Sequence, residues 1–462
     1  MTDFKALLRP DTGQAATSLT LIDKKEFDAW LKAQPERVRQ MLAAQGFRAE
    51  SHQVAILPLS QNGWTAALGV ADVDALGPWC LAKAAESLPE GTYRLEGRSP
   101  GGAALGWLLG QHRFDRYKEE ASPKGPRILL TDDPARIEET LLLAEATALV
   151  RDLVNIPAQD LGPEELEAAV SDLGANCSAT YSAVSGERLQ QGYPMIHAVG
   201  RAASADRAPR LIELEWGDQR HPRIAIVGKG VCFDSGGLDI KPASGMRLMK
   251  KDMGGAAHAI GLALLIMKSR LPVRLHLLIP AVENAISGNA FRPGDVLKSR
   301  KGLTVEIGNT DAEGRLILAD ALTKAAEGDP ELILDFATLT GAARVALGPD
   351  LPALFSNDEA VADSFLSAGL SLSDPVWRMP LWKPYDEMFS SDIADFGNAS
   401  EQPMAGAITA ALFLQKFVPG GTPWAHLDTF AWRSSAKPGR PKGGEALGLR
   451  AAWHLLKARY AR

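Results

Sequence analysis

The sequence predicts an α/β protein of two domains, a small N-terminal α/β domain and a larger C-terminal domain with a mixed, mostly parallel sheet flanked by helices. Strand-like and helix-like runs alternate along the chain. One long helical pattern separates the two parts. In the second part helices fall between most strand candidates, the rhythm of a parallel sheet covered on both faces.

In the first part the strand candidates are "SLTLID" from 18, "VAILPL" from 54, "TYRLEG" from 92 and "RILLTDD" from 127, with helical patterns such as "EFDAWLKAQPERVRQMLAAQG" between them. The run "DDPARIEETLLLAEATALVRDLVNIP" predicts a single long helix. Asp133 is its candidate cap, Pro134 suits the first turn, and Pro157 lies just beyond the end. These signals set domains at 1–132 and 158–462, with a linker helix over 133–157. The second part offers strands "LIELEW" (211), "RIAIVG" (223), "RLHLLIP" (274), "LTVEIG" (303), "LILDFAT" (332) and "WAHLD" (424). Helices are expected over 248–268, 316–328, 405–417 and 443–459.

With 462 residues, 46% apolar and 23% charged, the chain can bury large cores in two or three domains. A formal charge of -6 argues against broad binding to nucleic acid or anionic membranes. Cys80, Cys177 and Cys232 are scattered and odd in number, so neither a disulfide framework nor a CxxC metal site is expected. The start, "MTDFKALLRPDTG", lacks the basic-then-apolar pattern of a signal peptide, and the longest apolar run, "AIGLALLIM", is too short to span a bilayer. A cytoplasmic soluble protein is the resulting expectation.

Open α/β sheets place ligands at the carboxyl ends of their strands. After "RIAIVG" come Lys229, Asp234 in a glycine-rich loop, and Lys241, while Asp252 opens the next helical run. After "LTVEIG" come Asp311, Glu313 and Arg315. If both strands belong to one sheet, four carboxylates, two lysines and an arginine share a crevice. Packed alone, the carboxylates would repel and most would protonate; two divalent cations resolve the conflict. Asp311 and Glu313, two residues apart, would face the same way on an extended segment. An all-carboxylate set favours Mg, Mn or Ca, and His258, the nearest histidine, is expected to turn into helix packing. "GKGVCFDSGG" matches neither a Walker loop nor a dinucleotide fingerprint, and no GxSxG surrounds Ser235. Taken singly, each acid reads as a helix cap, each lysine as a solvated side chain and "DSGG" as a turn. Their coincidence at strand ends favours a metal or anion site.

The segments "VGKGVCFDSGGLDIKP", "MKKDMGGAA", "NTDAEGRLILADAL" and "DFATLTGA", in this order and spacing, resemble the leucyl aminopeptidase family of dinuclear metallo-exopeptidases. The resemblance runs through most of 150–450; in the N-terminal part it touches "HRFDRYK" at 112 and the linker helix. It implies that Lys229, Asp234, Asp252 and Glu313 bind the tighter metal, and that Asp234, Asp311 and Glu313 bind the more exchangeable one. It makes Lys241 and Arg315 the catalytic cations, with a bicarbonate ion at Arg315 as general base. Met249, Asn309, Thr338, Leu339 and Gly341 become substrate-binding residues. The implied cofactors are two divalent ions per subunit, Zn, Mn or Mg, which activate a water. The implied activity is release of leucine-like N-terminal residues from short peptides, by a homohexamer; the acidic balance of the chain, rather than the resemblance, argues against a membrane or nucleic-acid partner. Near the end, "PKGGEALGLRAAWHLL" replaces the family's "GATG"-like turn. Two alternatives stand beside this reading: a dinuclear hydrolase of another class, such as a phosphoesterase, and a DNA-binding or regulatory protein on the same fold.

Overall fold

A computed structural model describes residues 2–59, 63–118 and 125–461. The chain divides into two compact units. One comprises 1–148 with 434–442; the other comprises 149–433 with 443–462.

The smaller unit is built on a six-stranded sheet. Its order is Leu8–Pro10, Arg127–Thr131, Gly91–Leu95, Thr17–Ile22, Trp64–Gly69, Val54–Pro58. All neighbours run parallel except the last two, which are antiparallel. Leu8–Pro10 and Trp64–Gly69 were not expected, since a three-residue strand and an alanine-rich one carry little alternation. The expected helical run over 26–46 is two helices, Phe27–Lys32 and Glu36–Ala44, separated at Pro35, whose ring cannot continue the first helix. The long helix holds as Ile137–Asn155, preceded by a 3-10 turn with Pro134 in its first positions, but the Asp133 side chain makes no capping hydrogen bond.

In the larger unit the main sheet runs Trp377–Arg378, Ala353–Ser356, Trp424–Asp428, Leu332–Ala337, Arg223–Gly228, Arg274–Asn284, Arg210–Trp216, Thr180–Ser185, with Gly230–Asp234 pairing onto the far half of Arg274–Asn284. The central strands are mutually parallel. Two helices cover opposite faces. Ala225 and Val227 pack in one core with Leu316, Ile317 and Ala321 of the helix Glu313–Ala326. Gly228, on the other face, touches Gly254–Lys268, where every residue from Gly254 to Met267 is buried. Among the described residues no helix is long and apolar enough to cross a membrane.

Two expectations are corrected here. "LTVEIG" does not join the main sheet: Thr304–Glu306 lies in a separate three-stranded sheet with Val296–Lys298 and Phe396–Gly397. "KGVCFD" is not a loop: Gly230–Asp234 is a strand held by Ala281–Asn284. Its composition hides it, because Gly and Asp are depleted in strands and only the long partner supplies the ladder. The last helix begins at Leu449 rather than 443, because Gly443–Gly444 pairs with Trp432–Arg433 and Gly448 takes a left-handed φ of 77°.

The helix Gly254–Lys268 approaches the sheet closely at two glycines. A Cβ on Gly255 would stand 2.1 Å from the Phe336 carbonyl oxygen, and one on Gly228 would stand 2.6 Å from the Ala256 Cα. Both obstacles are backbone, so the helix itself would have to shift. Gly255→Ala is therefore expected to lower stability by about 1–3 kcal/mol, read as a lower thermal midpoint. An unchanged midpoint would contradict the close crossing.

Candidate active site

The carboxyl ends of the parallel strands open into a cavity of about 630 Å³. Lys229 follows Arg223–Gly228 directly, and its backbone N–H donates to the Phe336 carbonyl (3.0 Å). Its buried side chain runs to the floor, where Nζ lies 2.7 Å from Asp252 Oδ2 and 2.9 Å from Glu313 Oε1, and donates to the Thr338 carbonyl (3.2 Å). Gly314 makes this path open: a Cβ there would meet Lys229 Cε at 2.5 Å.

Asp234 ends the Gly230–Asp234 strand. Its Oδ1 accepts from the Gly236 N–H and from Asn284 Nδ2, both at 2.9 Å, and Oδ2 lies 2.7 Å from Lys241 Nζ. Lys241 also ion-pairs with Asp311. Asp252 sits in the 3-10 turn Met249–Met253, and its Oδ1 accepts from Thr338 Oγ1 (2.9 Å). Asp311 lies in a turn and Glu313 is the first residue of its helix. The expected extended segment is therefore absent; a turn and a helix start bring the two acids to one place. Asn309 accepts the Asp311 N–H at its Oδ1 (2.7 Å) and lines the cavity, as do Met249, Thr338, Leu339 and Gly341. Half-buried Arg315 donates from Nη1 to the Asn398 carbonyl (2.7 Å), while its buried Nε has no hydrogen-bond partner. His258 turns away as expected, bonding the Gly254 carbonyl (2.7 Å) and accepting the Leu447 N–H (3.0 Å).

The electrostatics expose a shortage of positive charge. Ligand atoms of Asp234, Asp252 and Glu313 all lie within 4.8 Å of one another. Burial pushes the Glu313 carboxyl up from its ordinary pKa, and Asp234 pushes it further. Asp311 is raised by burial and by Asp234. Burial also opposes ionisation of Asp252 and Lys229, but their mutual attraction prevails: Asp252 is lowered and Lys229 raised. Glu313 Oε2, buried, accepts no hydrogen bond at all. Asp252 Oδ2 and Asp311 Oδ1 also lack hydrogen bonds, although each faces an ammonium. Buried acids facing few donors are a donor set fit for hard divalent cations, and the Lys229 amine can join them once a dication displaces its proton. Burial holds Arg315 down to about 10, still charged at neutral pH.

Several supporting residues carried no sequence signal that was used. Asn284 and Asp428 each end a strand, where the strand-end rule would have found them. Asp428 accepts from the Leu339 and Thr340 N–H groups (3.0 and 3.2 Å) and from Thr340 Oγ1 (2.6 Å), fixing the segment 338–341. Asn398 lies in a loop with no pattern to betray it. It receives Gly308 and Asn309 N–H groups at Oδ1 and donates to the Asn309 and Ala312 carbonyls, bracing the turn that carries Asp311.

The comparisons with known proteins agree with this geometry. A family profile described as "Cytosol aminopeptidase family, catalytic domain" matches residues 148–452, and one described as "M17 aminopeptidase, N-terminal domain" matches 17–130. A probable cytosol aminopeptidase of Syntrophotalea carbinolica is 42% identical over 369 residues, covering 76% of this chain and 73% of the relative. The crystal structure of a cytosol aminopeptidase from Coxiella burnetii superposes with a TM-score of 0.92 at 45% identity, over 99% of this chain and 100% of that one. The bottromycin maturation enzyme BotP in complex with Mn gives 0.86 at 32% identity, over 96% and 100%.

The raised carboxyl groups and the raised ammonium make cation loading a proton-releasing event near neutral pH. Titrating Mn or Zn into the metal-free protein should acidify weakly buffered solution, and affinity should rise from pH 5 to pH 8 as protons cease to compete. The same titration of Glu313→Ala should release fewer protons. Proton-neutral, pH-independent loading would contradict the charge shortage.

Proposed function

The chain belongs to the cytosol aminopeptidase family and is a metal-dependent peptidase, and on that premise we propose that it removes single, leucine-like residues from the N-termini of short peptides. The observation that carries this reading is the convergence of Lys229, Asp234, Asp252 and Glu313 on one buried point, with Lys241 bridging to Asp311. In this reading Lys229, Asp234, Asp252 and Glu313 hold one divalent ion, and Asp234, Asp311 and Glu313 a second, Zn, Mn or Mg. Bound there, the pair supplies Lewis-acid polarisation of a carbonyl and acidification of a water.

The chain's own groups do the rest. The acid-lined end receives the free α-amine, which limits cleavage to the first amide. Lys241 Nζ, between Asp234 and Asp311, stabilises negative charge developing on the scissile carbonyl oxygen. Arg315 would hold a bicarbonate ion, which would supply a general base when bound. Its buried, unpartnered Nε is the donor that supports this assignment, and no histidine among the described residues lines the cavity to take that role instead. Met249 and Leu339 form an apolar wall for the first side chain, and such a wall discriminates weakly between similar hydrocarbons. Asn309, Thr338 and Gly341 shape the substrate path, Asn309 by holding the Asp311 turn. Family likeness alone supports a homohexamer.

Leucyl-anilide hydrolysis by the Mn- or Zn-loaded protein tests the reading, with an N-acetylated leucyl anilide and a phosphate ester as controls. Turnover of the first alone is expected. Lys241→Ala should lower kcat about 10²-fold or more with metal content retained, and Glu313→Ala should lose bound metal and activity together. Cleavage of the acetylated substrate or of the phosphate ester would sink the proposal.

A further inference from the structure

Among the described residues, five basic and five acidic side chains line the cavity. Four of the five basic groups are already engaged. Lys229 and Lys241 pair with the acid cluster, Lys251 Nζ lies 3.5 Å from Asp252 Oδ1, and Arg315 donates to the Asn398 carbonyl. Arg344 differs. It is exposed on the short helix Gly341–Leu347, one turn beyond Gly341, and no carboxylate among the described residues lies within ion-pair distance of it.

The Arg344 side chain is nevertheless placed. Its guanidinium carbon stands 4.9 Å from the centroid of the Phe430 ring, which has the Lys251 ammonium at 5.3 Å. A guanidinium resting on an aromatic face keeps its in-plane N–H donors available, and its planar fork matches a carboxylate. The helix beneath it is anchored as well: Thr340 accepts the Ala343 N–H (3.0 Å) and donates to Asp428 Oδ2. A pre-oriented cation with no acidic partner, lining the same cavity as the acid cluster, is suited to an anionic group of the substrate.

We propose that Arg344 selects peptides carrying a carboxylate remote from the α-amine: the free C-terminus of a di- or tripeptide, or an acidic side chain on the residue after the scissile amide. This substrate class rests on the aminopeptidase reading. It deepens that reading by adding a second anchoring charge to the same cavity. Short peptides are then favoured by charge as well as by size.

Equilibrium binding to the metal-loaded protein tests this without turnover. The probes are reduced-amide analogues of Leu-Gly and its C-terminal amide, and of Leu-Glu-amide and Leu-Gln-amide. In the unaltered protein at least one acidic analogue should bind about fivefold tighter than its neutral counterpart, the scale of one exposed ion pair. The first pair reports the C-terminus and the second the side chain. In Arg344→Ala that ratio should fall to about one, and in Arg344→Lys it should stay above one. Ratios near one for both pairs in the unaltered protein, or a ratio unchanged in Arg344→Ala, would overturn the proposal. Absence of leucyl-anilide turnover would instead count against the aminopeptidase reading, so the two failures are separate.

Discussion

Buried negative charge gathered faster than the chain's own cations can balance it is the constraint on which the rest of this structure depends. Asp234, Asp252 and Glu313 approach within 4.8 Å of one another, almost wholly buried at the wall of the cavity. Lys229 and Lys241 reach into the same cluster from two sides. The result divides the acids: Asp252, beside two lysines, is shifted towards its charged form, whereas burial and Asp234 shift Glu313 and Asp311 towards protonation. A group of acids that cannot all ionise together is costly to fold unless function requires it. Divalent cations give the group its reason and remove its penalty.

Holding such a cluster demands a stiff frame. The acids arrive from three different local structures: a strand end, a 3-10 turn, and the junction of a turn with a helix. None of these fixes its neighbour, so the alignment is made by groups that touch no reacting atom. Asn284 grips Asp234 and the Thr310 carbonyl (3.1 Å), Asn398 braces the turn before Glu313, and Asp428 ties 338–341 to the end of its strand. Beneath them His426 and Trp424 share Asp335, at 2.5 and 2.7 Å, so the strands Leu332–Ala337 and Trp424–Asp428 are locked by side chains as well as by their ladder. The glycine contacts between Gly254–Lys268 and the sheet set the height of Asp252, because the 3-10 turn that carries it leads straight into that helix.

The cavity holds charge of both signs: an acid cluster suited to metal ions, and the Arg344 guanidinium laid on the Phe430 ring with no acidic partner among the described residues. Met249 and Leu339 add apolar surface to the cavity wall.

By itself the sequence determined the fold class, the central strands from "RIAIVG" to "WAHLD", and the family, because periodicity and the order of short motifs are local properties. "NTDAEGRL" with "VGKGVCFDSGG" named the acids and lysines that meet in space. It misplaced how they meet: the Thr304–Glu306 strand lies outside the main sheet, Gly230–Asp234 is a strand rather than a loop, and Asp311 and Glu313 converge through a turn and a helix start. Asn398 and the pairing of Arg344 with Phe430 were invisible, since each acts on residues about eighty or ninety positions away and has no local signature. The tertiary structure alone decided which charges are buried together, because pKa shifts, ion pairing and cation hunger depend on distance through space and on exclusion of water, neither of which spacing along a chain encodes.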